Sequence, residues 1–234
     1  MRRMMTRGLV LALALAPAAL TAQTRPTAAT YITDEEVKTV NATAGVDRTI
    51  RVVDIGNENF AVGVIHRAAP AARGTGAGAG RGAGAAGGAG RGAGGGAAAG
   101  GGAGRAGGTP TPCGEKMDSV PAGGTPGMIA HDSQTEGYLV ISGSGTLVTG
   151  GRIVNGSKSG PDAQVTTELN GPSCSGTAIG GDMVKKVVKT GDIIIIPAGV
   201  PHGWTDITDH VDYLSFRPSQ RVLTPGYVHP SIKK

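Results

Sequence analysis

The sequence predicts an all-β domain, a barrel or a sandwich, interrupted by one low-complexity tract. From Thr49 to about Tyr227, short β-branched runs recur at spacings of about ten residues with Gly, Pro, Asn and Asp between them, the pattern of an antiparallel all-β architecture. No stretch of useful length within that region carries the period of an amphipathic helix. With 42 glycines and only 3% aromatic residues among 234, the packed part is smaller than the chain, and the length allows one domain with extensions.

At the N-terminus Arg2, Arg3 and Arg7 precede an apolar run from Gly8 to about Leu20, and small residues follow as far as Ala22. That order is the basic region, apolar region and cleavage site of a secretory signal peptide over residues 1–22, and the run is short for a membrane span. Export to the periplasm or the extracellular space is expected, with cleavage near Ala22. No cysteine lies at the cleavage site and no later stretch is apolar for long enough to cross a bilayer, so no membrane anchor is expected. Residues 23–45 form an extension whose start looks unstructured. Within it Thr33-Asp34-Glu35-Glu36 fits a capping box, Thr33 as N-cap and Glu36 at N3, opening a short helix with Val37 and Val40 on one face.

The β domain spans residues 46–229. RVVDI and NFAVGVIH are strands separated by the Gly56-Asn57 turn signal; in the second, Phe60, Val62, Val64 and His66 share one face, and Ala61, Gly63 and Ile65 the other. Residues 68–112 are almost wholly Gly and Ala with interspersed Arg and no acidic residue, a composition that cannot build a core and predicts a disordered insertion within the domain. Beyond it GYLVISG, GTLVTGG, AQVTTEL, KKVVKT, DIIIIP, HGWTDI and DYLSFRP read as strands. Four successive isoleucines in DIIIIP predict a strand covered on both faces.

The formal charge of +5 is not a property of the domain. Three basic residues lie in the first seven positions, and Arg67, Arg73, Arg81, Arg91 and Arg105 lie in or beside the glycine tract; setting these eight aside leaves 14 basic against 17 acidic residues. The tract also has no aromatic residue on which bases could stack, so no nucleic-acid partner is expected. Cys113 and Cys174 sit in loop-like Pro/Gly contexts (TPTPCGE, GPSCSG); an oxidising compartment permits a disulfide between them, and neither shows the Cys-x-x-Cys spacing of zinc sites.

Chemistry concentrates in two stretches. In GDIIIIPAGVPHGWTD, a strand and a Pro/Gly turn deliver His202 to the start of the next strand, on the face of Trp204 and Asp206. In His131-Asp132-Ser133-Gln134-Thr135-Glu136, turn formers separate His131 from Glu136, so that a hairpin could bring both to one face with Tyr138 and Val140. A charged Glu136 facing the interior is costly unless a cation or donor meets it, and a metal ion answers that cost.

These stretches resemble the two motifs of the cupin superfamily, G-x5-H-x-H-x(3,4)-E-x6-G and G-x5-P-x-G-x2-H-x3-N. Gly191, Pro197, Gly199 and His202 match the second, with Asp206 in the Asn position; His131, Glu136 and Gly143 match the first, with Gly123 in the leading glycine position and Ile129 where its first histidine would stand. The resemblance covers about residues 46–66 and 114–220 and implies a single jelly-roll β-barrel. It implies a divalent metal, iron or manganese foremost and zinc or nickel as alternatives, held by His131, Glu136 and His202. Two histidines and one carboxylate suit an open-sided centre. His66 could replace the missing histidine. Asp206 could orient His202 or a bound water, and Asp206 or Tyr138 could carry a proton. His210 and His229 read as solvated.

The expected function is therefore a metal-dependent oxygenase or isomerase acting on a small molecule. The alternatives are a binding module for a sugar or acid without catalysis, and a surface-interaction protein working through residues 68–112. A homodimer is the macromolecular partnership the reading leaves open.

Overall fold

The computed structural model describes residues 28–69, 109–219 and 221–232. The expected signal peptide (1–22) and most of the Gly/Ala/Arg tract fall outside the described residues.

The helix forms where the capping box placed it. In α1 (Asp34–Asn41) the Thr33 hydroxyl accepts from the Glu36 N–H, and the Glu36 carboxylate accepts from the Thr33 N–H. Val40 is fully buried and, with Val37, packs on Ile50 and Val64. The buried Arg48 guanidinium donates to the carbonyls of Asn41 and Thr43 at 3.1 and 2.6 Å, satisfying acceptors that a helix C-terminus leaves open. α1 is thus a strap across the outside of the sheet.

Eleven strands follow among the described residues: β1 (Asp47–Asp54), β2 (Asn59–Ala68), β3 (Thr111–Cys113), β4 (Thr125–His131), β5 (Glu136–Thr149), β6 (Arg152–Lys158), β7 (Ser173–Ile179), β8 (Val184–Lys189), β9 (Ile193–Ile196), β10 (His202–Thr205) and β11 (His210–Ser219). They pair antiparallel in the order β1-β2-β11-β5-β10-β4-β7-β6-β3, with β8 and β9 also on β5. The path is open, so the expected barrel is not closed into a ring of hydrogen bonds; the architecture is one large antiparallel sheet.

The sheet folds over along β5. GYLVISG and GTLVTGG are not two strands, because Ile141 bulges out of the β5–β11 ladder and the chain bends at Gly143 in place of a reversal. The register against β11 slips between Asp212 and Tyr213, and Gly143 takes φ 70°, where an added Cβ would run into the His210 carbonyl oxygen. Glu136–Leu139 pair with β9, while Ser144–Thr149 pair with β8. The two halves face each other in one core, Ile65, Tyr138, Val140, Ile196, Val211 and Tyr213 against Leu147, Val188 and the partly buried Trp204.

Two other expectations are corrected. AQVTTEL is not a strand: Val165–Leu169 form a single π-helical turn, in which Thr166 and Thr167 donate their hydroxyls to the carbonyls of Gly160 and Ala163 (2.8 and 3.3 Å). Short hydroxyl side chains offer the backbone that local alternative to sheet pairing. The isoleucine strand β9, an edge paired among the described residues with β5, is covered on one face only: Ile194 and Ile196 pack on the core, while Ile193 and Ile195 are 74% and 73% exposed.

Cys113 and Cys174 form a disulfide across 61 residues, fixing the chain just after the tract to β7. Among the described residues no helix is long and apolar enough to cross a membrane.

Candidate metal centre

His131 and Glu136 are not joined by a hairpin. β4 and β5 are not hydrogen-bonded neighbours, and β10 lies between them in the strand order. The link 132–135 instead crosses from the layer of β4 to the layer holding the first half of β5, and the link 197–201 crosses from β9 to β10 at the same end. The Gly199 N–H donates to the His131 carbonyl at 2.7 Å and ties the two crossings together. His131 and His202 therefore approach Glu136 from the facing layer.

All three are buried, at 3%, 1% and 3% exposure for His131, Glu136 and His202. The Nε2 atoms of His131 and His202 lie 3.3 and 3.1 Å from Glu136 Oε2. At the far side of each ring, Nδ1 meets a backbone carbonyl, Asn170 O at 2.8 Å for His131 and Val200 O at 3.0 Å for His202. A carbonyl only accepts, so both Nδ1 atoms carry protons, and in the neutral tautomer each Nε2 lone pair points at Glu136. The candidate ligand atoms of this trio lie within 4.8 Å of one another. Two ligands at right angles, each about 2.1 Å from an ion, are about 3.0 Å apart, so the spacing fits one coordination sphere.

Glu136 has further partners. Arg217 Nε donates to Oε1 as a buried ion pair, and Tyr138 donates its hydroxyl to Oε2 at 2.5 Å. Burial would raise the Glu136 carboxyl, but the charge of Arg217, with His131 and His202, outweighs it and holds the group well below the ordinary carboxylate range. Burial pushes the Tyr138 hydroxyl well above its ordinary value and the Glu136 charge adds to this, so it stays a proton donor. Burial works against the charged Arg217, yet Asp47 at 2.6 Å and Glu136 keep it protonated. The cost of burying Glu136 is thus met within the chain by Arg217, and burial alone does not require a metal.

His131 and His202 border a cavity of about 60 Å³ whose wall also includes Asp47, Arg67, Ile129, Tyr138, Tyr213 and Arg217. Ile129 sits opposite His202 in the β4–β10 pairing, an apolar wall where a fourth ligand could have stood. The π-helical turn supplies Val165 and Leu169 to the same wall, and its C-terminal carbonyls hold the machinery: Leu169 O accepts from Arg217 (2.9 Å) and Asn170 O from His131. π-Helical turns recur at functional sites, and this one fixes two of the four central side chains.

Two expected residues are not brought to the trio. Strand alternation puts His66 on the outer face with Val62 and Val64, beneath α1, where Nδ1 pairs with Asp212 Oδ1 at 2.5 Å; it is Arg67, next along the chain, that faces the cavity. Asp206 is exposed with φ 50°, accepts from the Thr205 hydroxyl at 3.0 Å, and does not line the cavity; Val200 O holds His202 instead. Sequence reasoning missed Arg217 and Asp47. The alternation of β11 could have found Arg217, since it shares the buried face of Val211, Tyr213 and Ser215. Nothing local marks Asp47, which is recruited by Arg217 from a distant strand.

No known family profile matches the chain, and no curated protein matches it. Among solved structures it is aligned with Peruvianin-I, a cysteine peptidase from Thevetia peruviana latex, at 12% identity and a TM-score of 0.29, covering 83% of this chain and 77% of that one. This similarity is too low to carry an argument. Both cysteines here are in the disulfide, so the chain holds no free thiol.

Proposed function

We propose that this chain is an exported cupin-type protein, its folded sheet a jelly roll, that binds one divalent ion through His131, Glu136 and His202 and binds or transforms a small molecule in the adjoining cavity. Iron or manganese suits the two-histidine, one-carboxylate set best, with zinc or nickel as alternatives. The observation that carries this reading is the convergence of two carbonyl-tethered imidazoles on one carboxylate oxygen. Such tethering orients metal-binding histidines and raises their basicity. Bound there, the ion would supply a Lewis acid or a redox centre for oxygenase- or isomerase-like chemistry. Tyr138 contributes a protonated hydroxyl at Glu136 Oε2, and Arg217 keeps Glu136 ionised. The disulfide fits an oxidising compartment and so supports export.

Elemental analysis of protein purified without chelator tests this directly. About one equivalent of metal is expected in the unmutated chain and none in His202→Ala; an unmutated protein without metal sinks the proposal. One observation favours a second reading, a ligand-binding module without metal: Arg217 and Tyr138 already donate to both oxygens of Glu136. Thermal stabilisation by small metabolites that is unchanged by chelator would select that reading.

A further inference from the structure

The cavity wall holds one guanidinium that makes no ion-pair contact, although the charges of the site balance as a whole, Arg67 and Arg217 against Asp47 and Glu136. Arg217 is shared between Glu136 and Asp47. Arg67, also on the wall, donates Nε to the Tyr213 hydroxyl at 3.1 Å, a neutral acceptor, and forms no ion pair with any described residue. The one carboxylate on the same wall, Asp47, gives an oxygen to Arg217 and makes no ion pair with Arg67. A half-buried guanidinium with no carboxylate in contact is a recognition element for one, because its planar fork matches a carboxylate in two parallel hydrogen bonds. A divalent ion on the trio would turn this balanced set of charges positive.

Size narrows the class. About 60 Å³ holds a few heavy atoms, well below the roughly 300–1,000 Å³ of pockets that enclose drug-sized ligands. A neutral sugar would be too large and would leave Arg67 unpaired. Aliphatic Val46, Ile129, Val165 and Leu169 supply the rest of the wall, which suits a short carbon skeleton behind one charged end.

We infer that the ligand of this cavity is a small organic carboxylate whose charge is met by Arg67, an inference that rests on reading the cavity beside the trio as the ligand site. Arg67 is thus a specificity residue of the cavity and not part of the glycine–arginine tract that begins after it.

Isothermal titration of the full chain with acetate and with acetamide, its uncharged counterpart, tests the inference without any variant. Acetate should bind and acetamide should bind at least tenfold more weakly; equal binding overturns it. In Arg67→Met, acetate affinity should fall at least tenfold while metal content and melting temperature match the unmutated protein, since Trp204 still donates to the Tyr213 hydroxyl at 3.2 Å. Arg67→Lys, which keeps charge but not the fork, should fall between the two. Undiminished acetate binding in Arg67→Met also overturns the inference. Metal-free protein whose acetate binding still depends on Arg67 would retain the inference and discard the metal centre; metal-loaded protein whose acetate binding ignores Arg67 would do the reverse.

Discussion

Two histidine clusters lie on opposite faces of the sheet, and the same residue types build both. The inner one is His131, His202 and Glu136. The outer one is His66, His210, Asp212 and Asp209, with Ser142 alongside and the two rings 6.1 Å apart. In the inner cluster each ring gives one nitrogen to a backbone carbonyl and turns the other toward a shared carboxylate. In the outer cluster His66 and His210 each give Nδ1 to a different carboxylate, and His210 Nε2 meets Ser142 at 2.7 Å, so no set of lone pairs converges. What distinguishes a candidate metal centre from a polar surface is therefore direction and burial, not composition.

The largest expected effect breaks the inner cluster at its counter-ion. Arg217→Met leaves Glu136 and Asp47 buried without a partner and should cost about 3–5 kcal/mol in chemical denaturation, part of it recovered by adding Glu136→Gln. Cys174→Ser, whose side chain packs with Met128 and Val148 and not against either cluster, calibrates the scale and should cost about 2–4 kcal/mol under oxidising conditions with no loss of bound metal. His66→Ala should change stability by less than about 1 kcal/mol and leave metal content equal to the unmutated chain, in contrast to His202→Ala. A loss of metal in His66→Ala would erase the distinction between the two faces.

The smallest effect lies on the outer strap and depends on pH. The hydrogen-bonded ion pair with Arg51, against the opposing effect of burial, holds the Glu36 carboxyl below its ordinary 4.5. A carboxyl lowered on folding stabilises the fold fully above its unfolded value, and that contribution disappears as pH falls through the folded value. Glu36→Gln should therefore be about 0.5–1 kcal/mol less stable than the unmutated chain at pH 7, with the gap closing in strong acid when melting curves are compared.

The parts that were legible in the sequence are those governed by near neighbours. The capping box at Thr33–Glu36 needs only four residues, and the turn residues around His131 and His202 place those side chains at strand ends regardless of what the strands pair with. Pairing partners were not legible. Ser142-Gly143-Ser144 reads as a turn, whereas the strand runs on through it after one extra residue at Ile141, which only pairing with β11 reveals. The four isoleucines predicted two covered faces because burial was inferred from composition, whereas β9 turned out to be an edge. The Val165–Leu169 turn was hidden because its threonines favour strands as readily as they satisfy local carbonyls. The alternation of β11 could mark Arg217 as buried, but not that it meets Glu136, 81 residues away.

The disulfide bears on how this chain could tolerate its long glycine-rich insertion. The chain leaves the sheet where the Ala69 N–H donates to Asp209 O at 2.6 Å, and it is fastened again at Cys113 by the bond to Cys174. With both posts anchored, each doubling of the intervening length adds only about 0.6 kcal/mol of closure entropy. Changes in the length of the segment should therefore leave both posts, and the sheet that carries them, in place.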